Sequence, residues 1–85
     1  MAITIEKKIK AKKKPLFTPR EDRKLGRKIK KLRAEKDWTQ QDLADKTKLS
    51  VVYIGYIETA LRKPTLSTLR KLAKALDVQL GEFFK

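Results

Sequence analysis

Several residue types are scarce or missing in this 85-residue chain, and each absence excludes a class of chemistry. There is no cysteine, so neither a disulfide framework nor a thiolate metal site can form. There is no histidine, which removes the usual zinc ligand and the commonest general base. The three glycines stand far apart, so no glycine-rich phosphate-binding loop is present. We therefore expect no enzyme activity, no metal site and no cofactor.

Long apolar runs and acidic residues are also in short supply. No stretch reaches the roughly 18 apolar residues that a membrane helix needs, and the N-terminus lacks the apolar run of a signal peptide. We therefore expect a cytoplasmic protein of one small domain, with no role at a membrane. Lys and Arg number 23 against 10 Asp and Glu, which gives a net charge of +13. This excess favours a polyanionic partner such as nucleic acid.

The N-terminal segment differs in composition from the rest of the chain. Its lysines are Lys7, Lys8, Lys10, Lys12, Lys13 and Lys14. This pattern predicts a flexible basic arm over residues 1–17, ahead of a folded domain over residues 18–85. We expect the arm to add DNA affinity without sequence choice, or alternatively to act as a solubilising tail. The even spacing of Ile3, Ile5 and Ile9 leaves open a short strand that forms on a partner.

Capping residues mark where the helices begin. Hydroxyl side chains precede four apolar patterns, at Thr18, Thr39, Ser50 and Thr65. Two of them are followed three residues later by a carboxylate, Glu21 and Asp42, which completes a capping box. Pro19 suits the first position of a helix, where no amide partner is needed. We expect the first helix to end near Lys36, with Asp37 in a left-handed conformation.

Apolar residues at intervals of three and four predict which face of each helix is buried. They are Leu25, Ile29 and Leu32 in helix 1, Leu43 and Ala44 in helix 2, Ile54 and Ile57 in helix 3, and Leu66, Leu69, Leu72, Ala73 and Leu76 in helix 4. A final short helix is predicted from Val78, Leu80, Phe83 and Phe84. These stripes indicate a compact, all-α domain of five helices.

Many spaced residues of the chain resemble the Cro and phage-repressor family of helix-turn-helix domains, also called the XRE type. They include Arg33, Trp38-Thr39-Gln40, Leu43-Ala44, Leu49-Ser50, Tyr53-Ile54, Ile57-Glu58, Lys63-Pro64-Thr65-Leu66, Leu69 and Leu72-Ala73. The resemblance covers about residues 25–84 and implies a lambda-repressor-like fold that binds double-stranded DNA as a homodimer. It also implies that Arg33 and Glu58 form a largely buried structural ion pair. Gln40 would stand at the start of helix 2, close to a phosphate, and brace helix 3.

Helix 3, over about residues 51–59, is the predicted reading element in the major groove. The candidate DNA-binding residues are Gln40, Lys48, Ser50, Val51, Val52, Tyr53, Gly55, Tyr56, Thr59, Arg62 and Lys63. Valine can make only apolar contact, which points to a thymine methyl group. Gly55 would allow close approach of the backbone, and Tyr56 offers a hydroxyl. Tyr53 is expected to reach a phosphate rather than a base.

Each of these assignments has an alternative. Val51 and Val52 could pack against a protein partner or a second subunit, and Tyr56 could be a half-buried aromatic on helix 2. Gln40 and the flanking cations could simply be solvated.

Two functions follow from these readings. The first is a sequence-selective transcriptional regulator that binds double-stranded DNA. The second is a protein-interaction module of the same fold, an antitoxin or a transcription bridging factor, with mainly non-specific DNA affinity.

Overall fold

The computed structural model describes residues 17–85 and shows four α-helices followed by a short 3-10 helix. The helices are α1 (Pro19–Glu35), α2 (Gln40–Thr47), α3 (Val51–Glu58) and α4 (Leu66–Leu76), and the 3-10 helix spans Leu80–Phe84. No strand occurs within the described range. The all-α prediction is confirmed, although the fifth element is a 3-10 helix. The predicted arm before residue 17 and its alternative strand lie outside the described residues.

The helices begin at the predicted capping residues. The Glu21 amide donates to Thr18 Oγ1 at 3.2 Å, and the Thr18 amide donates to Glu21 Oε1 at 2.9 Å. Thr39 and Asp42 form the second box, with distances of 3.0 and 2.8 Å. Because two otherwise unpaired amides are satisfied in each box, α1 and α2 start at defined residues.

Each of the four α-helices described here is followed within two residues by a left-handed residue, and none of these residues is glycine. They are Asp37, Lys48, Ala60 and Asp77, with φ between 58° and 63°. After α3 the Leu61 amide donates to Tyr56 O at 2.8 Å and the Ala60 amide to Ile57 O at 3.2 Å. This is the hydrogen-bond pattern of a Schellman motif, in which Ala60 takes the position that glycine usually fills.

The core is formed by the predicted apolar stripes, with three differences at its edges. Phe17, which was assigned to the arm, is buried, and its ring stacks on that of Phe84 with centroids 5.1 Å apart. Phe84 itself is half exposed, because only its face toward Phe17 is covered in this way. Leu66 is also exposed, since it is the first residue of α4 and stands at the edge of the packed region. The packed domain therefore includes Phe17 and loses part of the predicted stripe.

A close crossing of α1 and α3 fixes the position of α3. A Cβ atom on Gly26 would lie 2.5 Å from the carbonyl oxygen of Glu58 and 2.7 Å from that of Ile57. These distances are shorter than van der Waals contact, so α1 can approach α3 this closely only with glycine at position 26.

Candidate nucleic-acid interface

Two short helices, α2 and α3, are joined by a tight turn over residues 48–50. Lys48 adopts φ 60°, and the Leu49 amide donates to Ala44 O at 3.1 Å, which closes the end of α2. Ser50 Oγ then accepts from the Tyr53 amide at 3.0 Å and opens α3. The turn therefore sets the angle between the two helices through local hydrogen bonds.

A hydrogen-bonded cluster of Arg33, Gln40 and Glu58 holds α3 to the two preceding helices. Arg33 Nε and Nη2 donate to the two Glu58 carboxylate oxygens at 2.8 and 3.0 Å. Gln40 Nε2 donates to Glu58 Oε1 at 3.0 Å, and Arg33 Nη1 donates to Trp38 O at 2.7 Å. The Glu58 side chain is only 2% exposed, and its hydrogen bonds raise the pKa of the Arg33 guanidinium.

This arrangement contains the ion pair and the bracing glutamine that the family resemblance implies. Gln40 is half-buried rather than solvated, and it stands at the first position of α2. The first amides of a helix have no partner inside the helix, and they carry the positive end of its dipole. An anion such as a phosphate would therefore be stabilised at this point.

The outward face of α3 is uncharged. Val51, Val52 and Tyr56 are 36%, 58% and 39% exposed. Helical spacing places Gly55, which is half-buried, and Thr59, the residue after α3, on the same side. At 39% exposure Tyr56 presents part of its ring to solvent, and its alternative role as a half-buried aromatic stays open. This face can therefore offer apolar contact and one phenolic hydroxyl to a partner.

Two predicted contact residues turn their polar atoms toward the protein. The Tyr53 hydroxyl lies 3.4 Å from Thr68 Oγ1, so this half-buried side chain is directed at α4. Thr59 is exposed, but its hydroxyl donates to Gly55 O at 2.8 Å. The Tyr53 side chain reaches from α3 to α4, whereas Thr59 bonds to the backbone of α3 itself. Both hydroxyls are therefore only partly available to a ligand.

Exposed cations flank α3 at both ends. Lys48 precedes it, and Arg62 and Lys63 follow it. Lys63 Nζ lies 3.9 Å from Oδ2 of Asp22, whose other oxygen is buried without a hydrogen-bond partner. Sequence reasoning missed Asp22, although it precedes Leu25 by three residues and therefore shares the buried stripe of α1.

Some other kinds of site are absent from residues 17–85. No group of three or more His, Cys, Asp or Glu side chains could hold a metal ion. No helix among these residues is both long and apolar enough to span a membrane.

Comparisons with known proteins agree with this geometry. A family model described as helix-turn-helix matches residues 29–83. The immunity repressor protein of Bacillus phage phi105 is 43% identical over 57 residues, which make up 67% of this chain. This match covers 40% of the repressor, so the chain spans about two fifths of the length of that relative.

Solved structures give the same result. The restriction-modification controller protein C.AhdI from Aeromonas hydrophila aligns with a TM-score of 0.71 at 35% identity, covering 73% of this chain and 94% of that one. SinR, described as the master regulator for biofilm formation and crystallised with DNA, aligns with a TM-score of 0.68 at 31% identity. That match covers 72% of this chain and 98% of the SinR chain.

Proposed function

This chain belongs to the helix-turn-helix family, and from that membership we propose that it is a transcriptional regulator that binds double-stranded DNA with sequence selectivity. The observation that carries the proposal is the uncharged outward face of α3, which is exposed on a chain of net charge +13. An α-helix fits the major groove, where sequence is read at base edges. The solved SinR complex contains DNA, and the phage relative is a repressor, which supports the same role here.

In this proposal the residues divide between reading bases and contacting phosphates. Val51, Val52, Gly55 and Tyr56 face the base edges. The phosphate contacts come from the first turn of α2 at Gln40, from Ser50, Tyr53 and Thr59 around α3, and from Lys48, Arg62 and Lys63. Phosphate contacts fix the register of a protein on the duplex, whereas base contacts select the sequence.

The proposal includes a homodimer, because family members of this fold read two half-sites about one DNA turn, roughly 34–36 Å, apart. It also includes a cytoplasmic location, no enzymatic activity and no cofactor. The Arg33–Glu58 pair has a structural role, since it holds α3 in place without facing the DNA.

A competition experiment tests this function. The native chain is bound to a duplex recovered by selection, and random duplex DNA is added as competitor at a fixed salt concentration. We expect a specificity ratio well above tenfold. Equal affinity for all duplexes, lost by moderate salt, would instead identify a protein-interaction module with non-specific DNA affinity.

Matched variants assign the roles within the interface. Val52→Ala and Tyr56→Ala are expected to change which sequence is preferred. Arg62→Ala is expected to weaken binding to every sequence by a similar factor and to reduce the salt dependence. If the α3 variants leave sequence preference unchanged, the proposed reading face is wrong.

A further inference from the structure

We propose that α3 reads the C5-methyl groups of pyrimidines, so that thymine and 5-methylcytosine are accepted at the same positions of a site. Uracil and unmodified cytosine would both be disfavoured there. This inference rests on the proposed function, because it requires α3 to lie in the major groove. Beyond the proposed function, the inference names the chemical group that α3 recognises, the C5-methyl, and it implies that binding depends on DNA methylation.

The outward face of α3 has little capacity to form hydrogen bonds with a base. Residues 50–59 contain no Arg, Asn or Gln, the side chains that make paired hydrogen bonds to a base. The hydroxyls of Ser50, Tyr53 and Thr59 each lie within hydrogen-bonding distance of an atom of the protein, as the cap of α3, at Thr68 and at Gly55. Among the described residues, only the Tyr56 hydroxyl on this face has no such contact. Hydrogen bonding from α3 could therefore distinguish few bases.

Gln40 does not replace the missing amides. Its Nε2 atom donates to Glu58 Oε1 at 3.0 Å, and this bond is part of the cluster that holds α3. Turning the amide toward a base would leave a buried carboxylate oxygen with one partner fewer, which is costly. The Gln40 side chain is therefore committed to the protein.

The rest of the outward face of α3 is mainly apolar. Val51 and Val52 expose branched methyl groups at the first turn of α3, the end that leads into the groove. The only apolar group on a base edge in the major groove of unmodified DNA is the thymine C5-methyl. Cytosine methylated at C5 carries the same group at the same ring position. Because valine contacts the methyl and neither donates nor accepts a hydrogen bond, it cannot distinguish these two bases.

The residues around α3 favour DNA over an apolar protein surface as the partner of this face. Exposed cations lie on both sides of α3 in the chain, at Lys48, Arg62 and Lys63. The phosphates of a duplex run along both edges of its major groove, so these cations could contact them while α3 lies in the groove. Gly55 leaves space at the centre of the face. A Cβ at that position would meet only the Gln40 side chain, at 3.8 Å, so packing inside the protein does not require glycine there. The missing side chain instead allows closer approach from outside.

The experiment uses the full chain and a duplex recovered by selection. Each thymine of a half-site is replaced in turn by deoxyuridine, which removes one methyl group and leaves base pairing intact. We expect affinity to fall about fourfold at each contacted position, the factor that corresponds to roughly 0.8 kcal/mol per buried carbon. Placing a C·G pair at such a position should also weaken binding, and methylating that cytosine at C5 should recover about fourfold.

Two protein variants serve as controls. In Val52→Ala the ratio of the affinity for the thymine duplex to that for the uracil duplex should fall toward one at the position that Val52 contacts. In Arg62→Ala overall affinity should fall while that ratio is retained.

Three outcomes would overturn the inference. If the native chain binds its site selectively and no uracil substitution has an effect, methyl readout is wrong and the proposed function stands. If the uracil effect persists unchanged in both Val51→Ala and Val52→Ala, the methyl acts through DNA shape rather than through valine. If selection recovers no preferred sequence, the proposed function fails together with the inference.

Discussion

The inward and outward faces of α3 share eight residues of backbone but differ in their chemistry. On the inward face Ile54 and Ile57 are almost completely buried, and Glu58 makes three hydrogen bonds to side chains of α1 and α2. On the outward face Val52 and Tyr56 touch solvent. The inward face therefore fixes where the helix lies, and side chains on the outward face can be changed without disturbing the core. Changes on the first should alter stability, and changes on the second should alter binding.

The largest effect is expected from removing the buried carboxylate. In Glu58→Ala the Arg33 guanidinium loses its charge partner while it remains mostly buried, and the free energy of unfolding should fall by about 3–5 kcal/mol. Urea denaturation measures this change. The matched control is Glu82→Ala, which removes partly exposed ion pairs with Lys28 and Lys85 and should cost much less, because ion pairs that solvent reaches contribute little. Equal losses in the two variants would show that the cluster does not anchor α3.

Two glycine substitutions should act with opposite sign. In Gly26→Ala the new methyl overlaps the Glu58 and Ile57 carbonyls, so α1 must move away from α3, at a cost of about 1–3 kcal/mol. In Gly55→Ala the methyl meets only Gln40 at an ordinary distance, so stability should rise by about 1 kcal/mol from helix propensity alone.

Thermal unfolding compares the two glycine variants, and DNA binding separates them further. We expect the more stable Gly55→Ala protein to bind DNA more weakly, because its methyl stands on the outward face. A Gly26→Ala protein as stable as the native chain would contradict the close crossing of α1 and α3.

The residue after α3 offers a smaller effect. Ala60 holds φ 63°, a conformation that disfavours any residue with a Cβ atom, so Ala60→Gly should raise the free energy of unfolding by about 0.5–1 kcal/mol. Ala34→Gly in the last turn of α1 is the control and should lower it by a similar amount. If both variants lowered the free energy of unfolding, the left-handed conformation of Ala60 after α3 would be contradicted.

The smallest effect should come from acidification. Backbone hydrogen bonds from Thr18 and Thr39 lower the pKa of the Glu21 and Asp42 carboxyls from their ordinary values of 4.5 and 3.8. A carboxyl whose pKa is lower in the folded state stabilises the fold above its ordinary pKa, and this contribution disappears as the pH falls through the folded value. Stability should therefore decline below about pH 4.5. Urea midpoints across this range should depend less on pH in Asp42→Asn, and an unchanged profile would contradict the role of this box.

Much of the fold could be predicted because its signals are local. The capping boxes at Thr18 and Thr39 and the ending at Asp37 follow from residues three or four positions apart, and the structure confirms them. The left-handed conformation of Ala60 could not be predicted in the same way, since nothing in alanine favours it. It accompanies the hydrogen bonds from the Ala60 amide to Ile57 O and from the Leu61 amide to Tyr56 O.

The errors arise where distant parts of the chain meet. Phe17 is buried because Phe84 stacks on it, and no local pattern links residues at opposite ends of the domain. The proximity of the Tyr53 hydroxyl to Thr68 could not be predicted either, because it depends on how α4 packs on α3. The DNA-contact residues on the outward face remain a prediction, since exposure shows that they are available and not what they bind.

Selection from a random duplex library, run side by side with the native chain and Val52→Ala at one salt concentration, tests most directly whether the outward face of α3 chooses the DNA sequence. We expect the native chain to recover a preferred half-site and the variant to lose or change the preference at specific positions, with its free energy of unfolding within about 0.5 kcal/mol of the native value. Recovery of the same sequence preference by both proteins would contradict that claim.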